Sequence, residues 1–247
     1  MRNMLTEQQK ERYSRQIISP LIGEEGQETI SKIKVLQIGA GGLGSPCALY
    51  LVAAGIQEIT IIDNDIVDLS NLQRQILYNE TQVDKVKVEM AKETLSKLNS
   101  EVKINAHRDF IDEQTIGKYV KDHDFIVDCS DNLQTKFLVN NTAIKYEKRC
   151  VIAGIEDFYG QIMTINPKYS ACYQCVFSED KKKNKKKRTL PVIGVTPGVI
   201  GTMEALEVIK TALELPNLEN QLMMINLKEM TFDKIPVVKN ETCLCCK

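Results

Sequence analysis

The chain has 247 residues, 43% of them hydrophobic, with 32 basic against 33 acidic side chains. That is enough apolar material for a buried core, and a charge balance that gives no global field to attract nucleic acid or an anionic membrane. The first sixteen residues are polar and lack the apolar core of a signal peptide, and the longest apolar run, Cys47 to Ile56, falls far short of the roughly 20 residues a bilayer needs. The expected compartment is the cytoplasm, where eight cysteines argue for metal ligation and buried thiols rather than disulfides.

Residues 1–30 read as an N-terminal helical segment. Arg12 and Arg15 are three apart, so on a helix they share a face, with Tyr13, Ile17 and Ile18 as its packing positions. Residues 31–154 alternate strand and helix. Strand Val35–Ile38 runs into Gly39-Ala40-Gly41-Gly42-Leu43-Gly44, then a helix over 45–54, then strand Ile59–Ile62 ending in Asp63. Gly39, Gly41, Gly42 and Gly44 let the backbone approach a phosphate at a helix N-terminus, and Asp63 is placed for a ribose hydroxyl. The expected ligand is an adenine nucleotide.

The next segment, Leu69-Ser70-Asn71-Leu72-Gln73-Arg74-Gln75, bears on which nucleotide. Arg74 offers a permanently charged fork for phosphate oxygens, and Asn71 and Gln75 add neutral donors, which suits a triphosphate better than NAD. Lys87 follows in a run with Lys85 and Lys92, which read as solvated helix face.

Further elements are a helix over 85–98, a strand over 102–106, a helix over 113–120, a strand over 125–127 ending at Asp128, a helix over 133–146 and a strand over 151–153. This order predicts an α/β, Rossmann-like, doubly wound and mostly parallel sheet, with ligand at the carboxyl ends of its strands. Residues 155–247 read as an antiparallel sheet extension: strands over 160–165, 223–227 and 230–234, and a helix over 196–215. No linker separates the halves, so a single domain over 1–247 is expected.

Cys172-Tyr173-Gln174-Cys175 and Cys243-Leu244-Cys245-Cys246 supply two C-x-x-C pairs, the spacing of a structural zinc site held by Cys172, Cys175, Cys243 and Cys246. Cys245 is a spare, and a redox disulfide within either pair, or unliganded thiols, are the alternatives. Cys47, Cys129 and Cys150 read as core thiols, and His107 and His123 as structural. The basic run 181–188 reads as a solvated loop or an attractor for an acidic partner surface, with RNA contact resting on charge alone.

Taken together, Asp63-Asn64-Asp65, Leu69 to Gln75, Lys87, Asp128-Cys129-Ser130-Asp131-Asn132 and the paired cysteines resemble the ubiquitin-activating-enzyme-like family. More narrowly they resemble the bacterial adenylyltransferases that activate small ubiquitin-like sulfur carriers for thiamin or molybdopterin synthesis. The resemblance runs from Arg12 to the final cysteines. It implies that Asp63 binds ribose, that Asn71, Arg74 and Lys87 bind the triphosphate of ATP, and that Asp131 holds Mg²⁺. It implies a homodimer in which Arg15 reaches the partner subunit's nucleotide. It also implies a carrier ending in Gly-Gly, whose adenylate passes to a sulfurtransferase or cysteine desulfurase. In some family members the crossover loop carries a reactive cysteine; here no cysteine lies between Cys175 and Cys243. An NAD-dependent oxidoreductase, a nonenzymatic scaffold and an enzyme acting on a small peptide remain as alternatives.

Overall fold

The computed structural model describes residues 5–178 and 191–247. The basic run and its functional readings lie outside the described residues. Three short helices, α1 (Glu7–Arg12), α2 (Ser14–Ile17) and α3 (Gly23–Ile30), precede the sheet. Tyr13, buried and off the helical backbone at φ −97° and ψ 12°, separates α1 from α2. Arg12 and Arg15 therefore sit on different helices rather than one shared face, and Ile18, expected to pack, is 70% exposed.

Strands β1 (Lys34–Ile38), β2 (Glu58–Ile62), β3 (Lys103–His107), β4 (Phe125–Asp128) and β5 (Arg149–Glu156) pair in parallel. Strands β6 (Tyr159–Ile165), β7 (Gln221–Asn226) and β8 (Thr231–Pro236) continue the same sheet in antiparallel fashion. The order is β3-β2-β1-β4-β5-β6-β7-β8. Continuous apolar runs on the central strands are what a sheet covered on both faces requires. One face packs on α4 (Gly44–Ala54), α5 (Lys87–Leu98) and α9 (Val195–Ala212), the other on α7 (Leu133–Lys145) and the short helices α6 (Gly117–Val120) and α8 (Tyr173–Val176). Val35, Leu36, Ile59, Ile61, Ile126, Val127 and Val151 are fully buried between these layers.

From β1 the chain builds β2 and β3 on one side, then crosses back to build β4 and β5 on the other. The carboxyl ends of β1 and β4 therefore bound a crevice at the topological switch point. The antiparallel half supplies the expected extension, closed by an edge strand, β8, all of whose residues are exposed.

Candidate nucleotide site and cysteine centre

Gly39 follows β1 with φ +97°, and a side chain there would meet the Cys129 carbonyl at 2.8 Å. Gly44 opens α4, where a Cβ would lie 2.2 Å from the Gly39 carbonyl oxygen. Both glycines are thus demanded by the turn itself. Gly41 is different: a Cβ would meet only the Gln75 amide nitrogen, at an ordinary 3.6 Å. Gly42 faces Pro197 at the start of α9 and the Arg74 side chain.

Asp63 at the end of β2 braces this turn. Its Oδ2 accepts from the Ala40 amide at 2.8 Å and its Oδ1 from the Asp65 amide at 2.9 Å. Each carboxylate oxygen keeps a second lone pair for a ligand hydroxyl. Tyr78, which the sequence analysis missed, donates from its buried hydroxyl to the Ala40 carbonyl at 2.8 Å. Burial, with Asp63 and Asp65 nearby, pushes the Tyr78 phenol far above its ordinary value.

Residues 69–71 form a 3-10 turn capped by the Asp68 carboxylate. It carries Asn71 and leads into Arg74 and Gln75, beside the glycine turn. Arg74 Nη1 donates to the Ser70 carbonyl at 3.2 Å. Gln75 is buried and its Oε1 has no partner among the described residues. Lys87, first residue of α5, is 3% exposed, and its Nζ donates to Asp65 Oδ2 at 3.0 Å. The loop after β4 reaches the same crevice, with the Cys129 amide donating to the Ile38 carbonyl at 2.9 Å, and Asp131 exposed within that loop. So β1, β2, β4 and α5 bring the expected glycines, Asp63, Asn71, Arg74, Gln75, Lys87 and Asp131 to one end of the sheet.

Arg15 is not brought there within one chain. Its neighbour Gln16 donates to the Ala54 carbonyl at 3.2 Å, at the far end of α4 from the glycine turn. Eleven helical residues separate the two ends, about 16 Å. Arg15 is exposed, with no hydrogen bond or ion pair to a described residue.

Beneath the Asp131 loop lies a pair that sequence reasoning missed. Lys136 Nζ donates to Asp128 Oδ2 at 2.8 Å, the Ser130 carbonyl at 2.8 Å and the Ala153 carbonyl at 2.5 Å. Three ammonium protons meet three acceptors, tying the end of β4 to β5. Behind the glycine turn, Cys129 Sγ donates to buried Glu204 at 3.4 Å. Burial pushes the Glu204 carboxyl well above the usual range and raises the Cys47, Cys129 and Cys150 thiols, as expected of core cysteines. His123, lowered by burial, contacts the Tyr119 carbonyl and the Thr60 hydroxyl, a structural role.

The expected four cysteines meet at the opposite face. Sulfur separations are 3.9 Å for Cys172–Cys175, 3.7 Å for Cys172–Cys243 and 3.5 Å for Cys175–Cys246. Four thiolates around zinc at about 2.3 Å lie about 3.8 Å apart, so the donor set and spacing fit that ion. Asn140 on α7 organises both arms: its Oδ1 accepts from the Tyr173 amide at 2.8 Å, and its Nδ2 donates to Cys245 at 3.3 Å. Cys245 thus has a partner outside the four.

A model of the ThiF family matches residues 13–245. The chain belongs to the ThiF family. Relatives within reach of this ThiF-family chain include the "Sulfur carrier protein adenylyltransferase" of Thermus thermophilus, 34% identical over 98% of this chain and 92% of the relative. The "Sulfur carrier protein ThiS adenylyltransferase" of Escherichia coli is 32% identical over 95% and 94%. The "Adenylyltransferase and sulfurtransferase MOCS3" of Xenopus laevis is 36% identical over 95% of this chain, which spans only 53% of that longer protein. Among solved structures, E. coli MccB with ATP aligns with a TM-score of 0.86 at 26% identity, covering 96% of this chain and 73% of that one. Membership in the family carries the fold and the adenylyltransferase class. No helix among the described residues is long and apolar enough to cross a membrane.

Proposed function

We propose that this ThiF-family chain uses ATP to adenylate the C-terminal carboxylate of a small ubiquitin-like sulfur carrier ending in Gly-Gly, releasing pyrophosphate. What carries the reading is the convergence, at one switch-point crevice, of the open backbone at Gly41 with Arg74 and buried Lys87. An oxidoreductase would have no use for two such cations beside the phosphate turn. The carrier as substrate is supported by the bacterial relatives, which this chain covers nearly end to end. Modification of a small peptide is the second reading, weighed against the fold likeness to E. coli MccB solved with AMPCPP and MccA.

A peptide carboxylate is already ionised near neutral pH, so attack on the α-phosphorus needs no general base. The obstacle is the approach of an anion to a polyanion. The glycine-turn amides and the α4 N-terminus would receive phosphate oxygens, Asp63 the ribose, and Asn71, Gln75, Arg74 and Lys87 the polyphosphate. Asp131 offers exposed carboxylate oxygens, the hard donors Mg²⁺ prefers, and the ion would neutralise phosphate charge. Arg15, remote from its own crevice, would complete the site of a partner subunit in a homodimer. Pyrophosphate leaves, and the acyl-adenylate awaits a sulfur donor such as a sulfurtransferase or cysteine desulfurase. Zinc on Cys172, Cys175, Cys243 and Cys246 would have no open position and so a structural role.

The test is exchange of labelled pyrophosphate into ATP, with and without a Gly-Gly carrier. Carrier-dependent exchange supports the reading. Thermal stabilisation by NAD but not by ATP would overturn it.

A further inference from the structure

Asp65 has no part in the ribose or phosphate roles above, yet it is the one described acceptor of the Lys87 ammonium. The contact is built rather than incidental. The Lys87 amide donates to the Asp65 carbonyl at 3.1 Å, Ile66 bridges Val86 in antiparallel fashion, and the Val67 amide donates to the Lys85 carbonyl at 2.8 Å. Residues 65–67 and 85–87 are thus zipped into a short ribbon. The Asp65 amide in turn binds Asp63 Oδ1. The carboxylate that faces the ribose position, the turn carrying Asp65 and the ammonium of Lys87 form one connected unit.

The two partners are in unequal surroundings. The Lys87 side chain is 4% exposed and that of Asp65 is 63% exposed. Water screens the Asp65 carboxylate, so its repulsion of a nearby phosphate is weak. The Lys87 ammonium has little water and three N–H donors, of which one is spent on Asp65. We infer that Asp65 is the positioning residue for Lys87: it holds the ammonium so that the two unspent N–H groups face the polyphosphate. The inference rests on the ATP reading of the crevice. It differs from two other roles for the same pair, a merely structural tether and a competitor that ATP must displace.

The experiment is calorimetric titration of the full chain with Mg-ATP and, separately, with adenosine. The variants are Asp65→Asn, Lys87→Met, the double variant and Asp84→Asn, each checked for an unchanged melting temperature. Asp84 is exposed beside this ribbon, its amide on the Val67 carbonyl, at φ 66°, which asparagine tolerates, and it controls for loss of one nearby negative charge. Asp65→Asn should weaken ATP binding about tenfold, the worth of one charge-assisted contact, and leave adenosine binding unchanged. Asp84→Asn should bind both like wild type. In the Lys87→Met background, Asp65→Asn should cause no further loss, since Asp65 acts through Lys87. Tighter ATP binding by Asp65→Asn would make it a competitor and overturn the inference. An equal loss for adenosine, or a full additional loss in the Lys87→Met background, would overturn it in favour of a structural tether. Wild-type ATP affinity in Lys87→Met would instead remove Lys87 from the nucleotide site, and the inference with it.

Discussion

Replacing Lys136 by Met keeps the length of the side chain and removes its ammonium. Asp128, with no exposed surface, would then keep a carboxylate facing no cation, and the Ser130 and Ala153 carbonyls would each lose a donor. Breaking a buried pair from one side costs about 3–5 kcal/mol, because the remaining charge stays desolvated. For a chain of this size each kcal/mol shifts the melting temperature by about 2–4 °C, so the expected loss is about 6–20 °C. The double variant Lys136→Met with Asp128→Asn removes the stranded charge and should recover much of that loss. Urea unfolding of the wild type, both single variants and the double variant measures the coupling. Burial by itself would lower the Lys136 pKa, but Asp128 beside it outweighs burial and leaves it above 10.5. The pair's contribution is therefore intact below that ordinary value and fades as the pH climbs through the raised one. A Lys136→Met variant within 1 kcal/mol of wild type, or a double variant that adds the single losses, would refute the reasoning.

Glu204 is held well above the ordinary carboxyl range by burial, so its neutral form favours the folded state fully below about pH 4.5 and that advantage shrinks as pH rises toward its folded value. Glu204→Gln should gain stability relative to wild type between pH 4.5 and 8; a difference that stays flat across that range would contradict the assignment. The cysteine centre should hold one zinc per chain, and Cys172→Ser should lower metal content and melting temperature together, while Cys245→Ser leaves both near wild type. Elemental analysis showing equal metal loss in Cys245→Ser would change the ligand set. Arg15→Ala and Asp131→Ala chains should each lose pyrophosphate exchange, the latter by about 100-fold or more, and regain part of it when mixed. No recovery despite demonstrated subunit exchange would remove Arg15 from the partner's site.

The strand–glycine–helix–strand unit was legible because its signals are local: the apolar runs of β1 and β2, the glycines and the terminal Asp63 all lie within about thirty residues. The C-x-x-C pairs were legible for the same reason, although the two pairs are 71 residues apart. What escaped acts across the fold. Tyr78 reaches Ala40 over 38 positions, and Asn140 reaches Cys245 over 105. Nothing in the local pattern marks Lys136 as a buried lysine that reaches Asp128 and the Ala153 carbonyl. The helix expected over 113–120 shortens to Gly117–Val120, since the Asp112 carboxylate takes the Gln114 and Thr115 amides into a turn. Strand β5 runs past its apolar centre to Glu156 because the hairpin with β6 supplies hydrogen bonds that composition does not reveal.

The central claim is adenylation of a carrier's C-terminus. Its most direct measurement is the intact mass of a Gly-Gly sulfur carrier after incubation with the enzyme and Mg-ATP, in parallel with a carrier lacking its terminal glycine. The full-length carrier alone should gain one adenylyl group, and only with Asp131 intact. A carrier whose mass never changes while the enzyme consumes ATP, or equal modification of the truncated carrier, would contradict it.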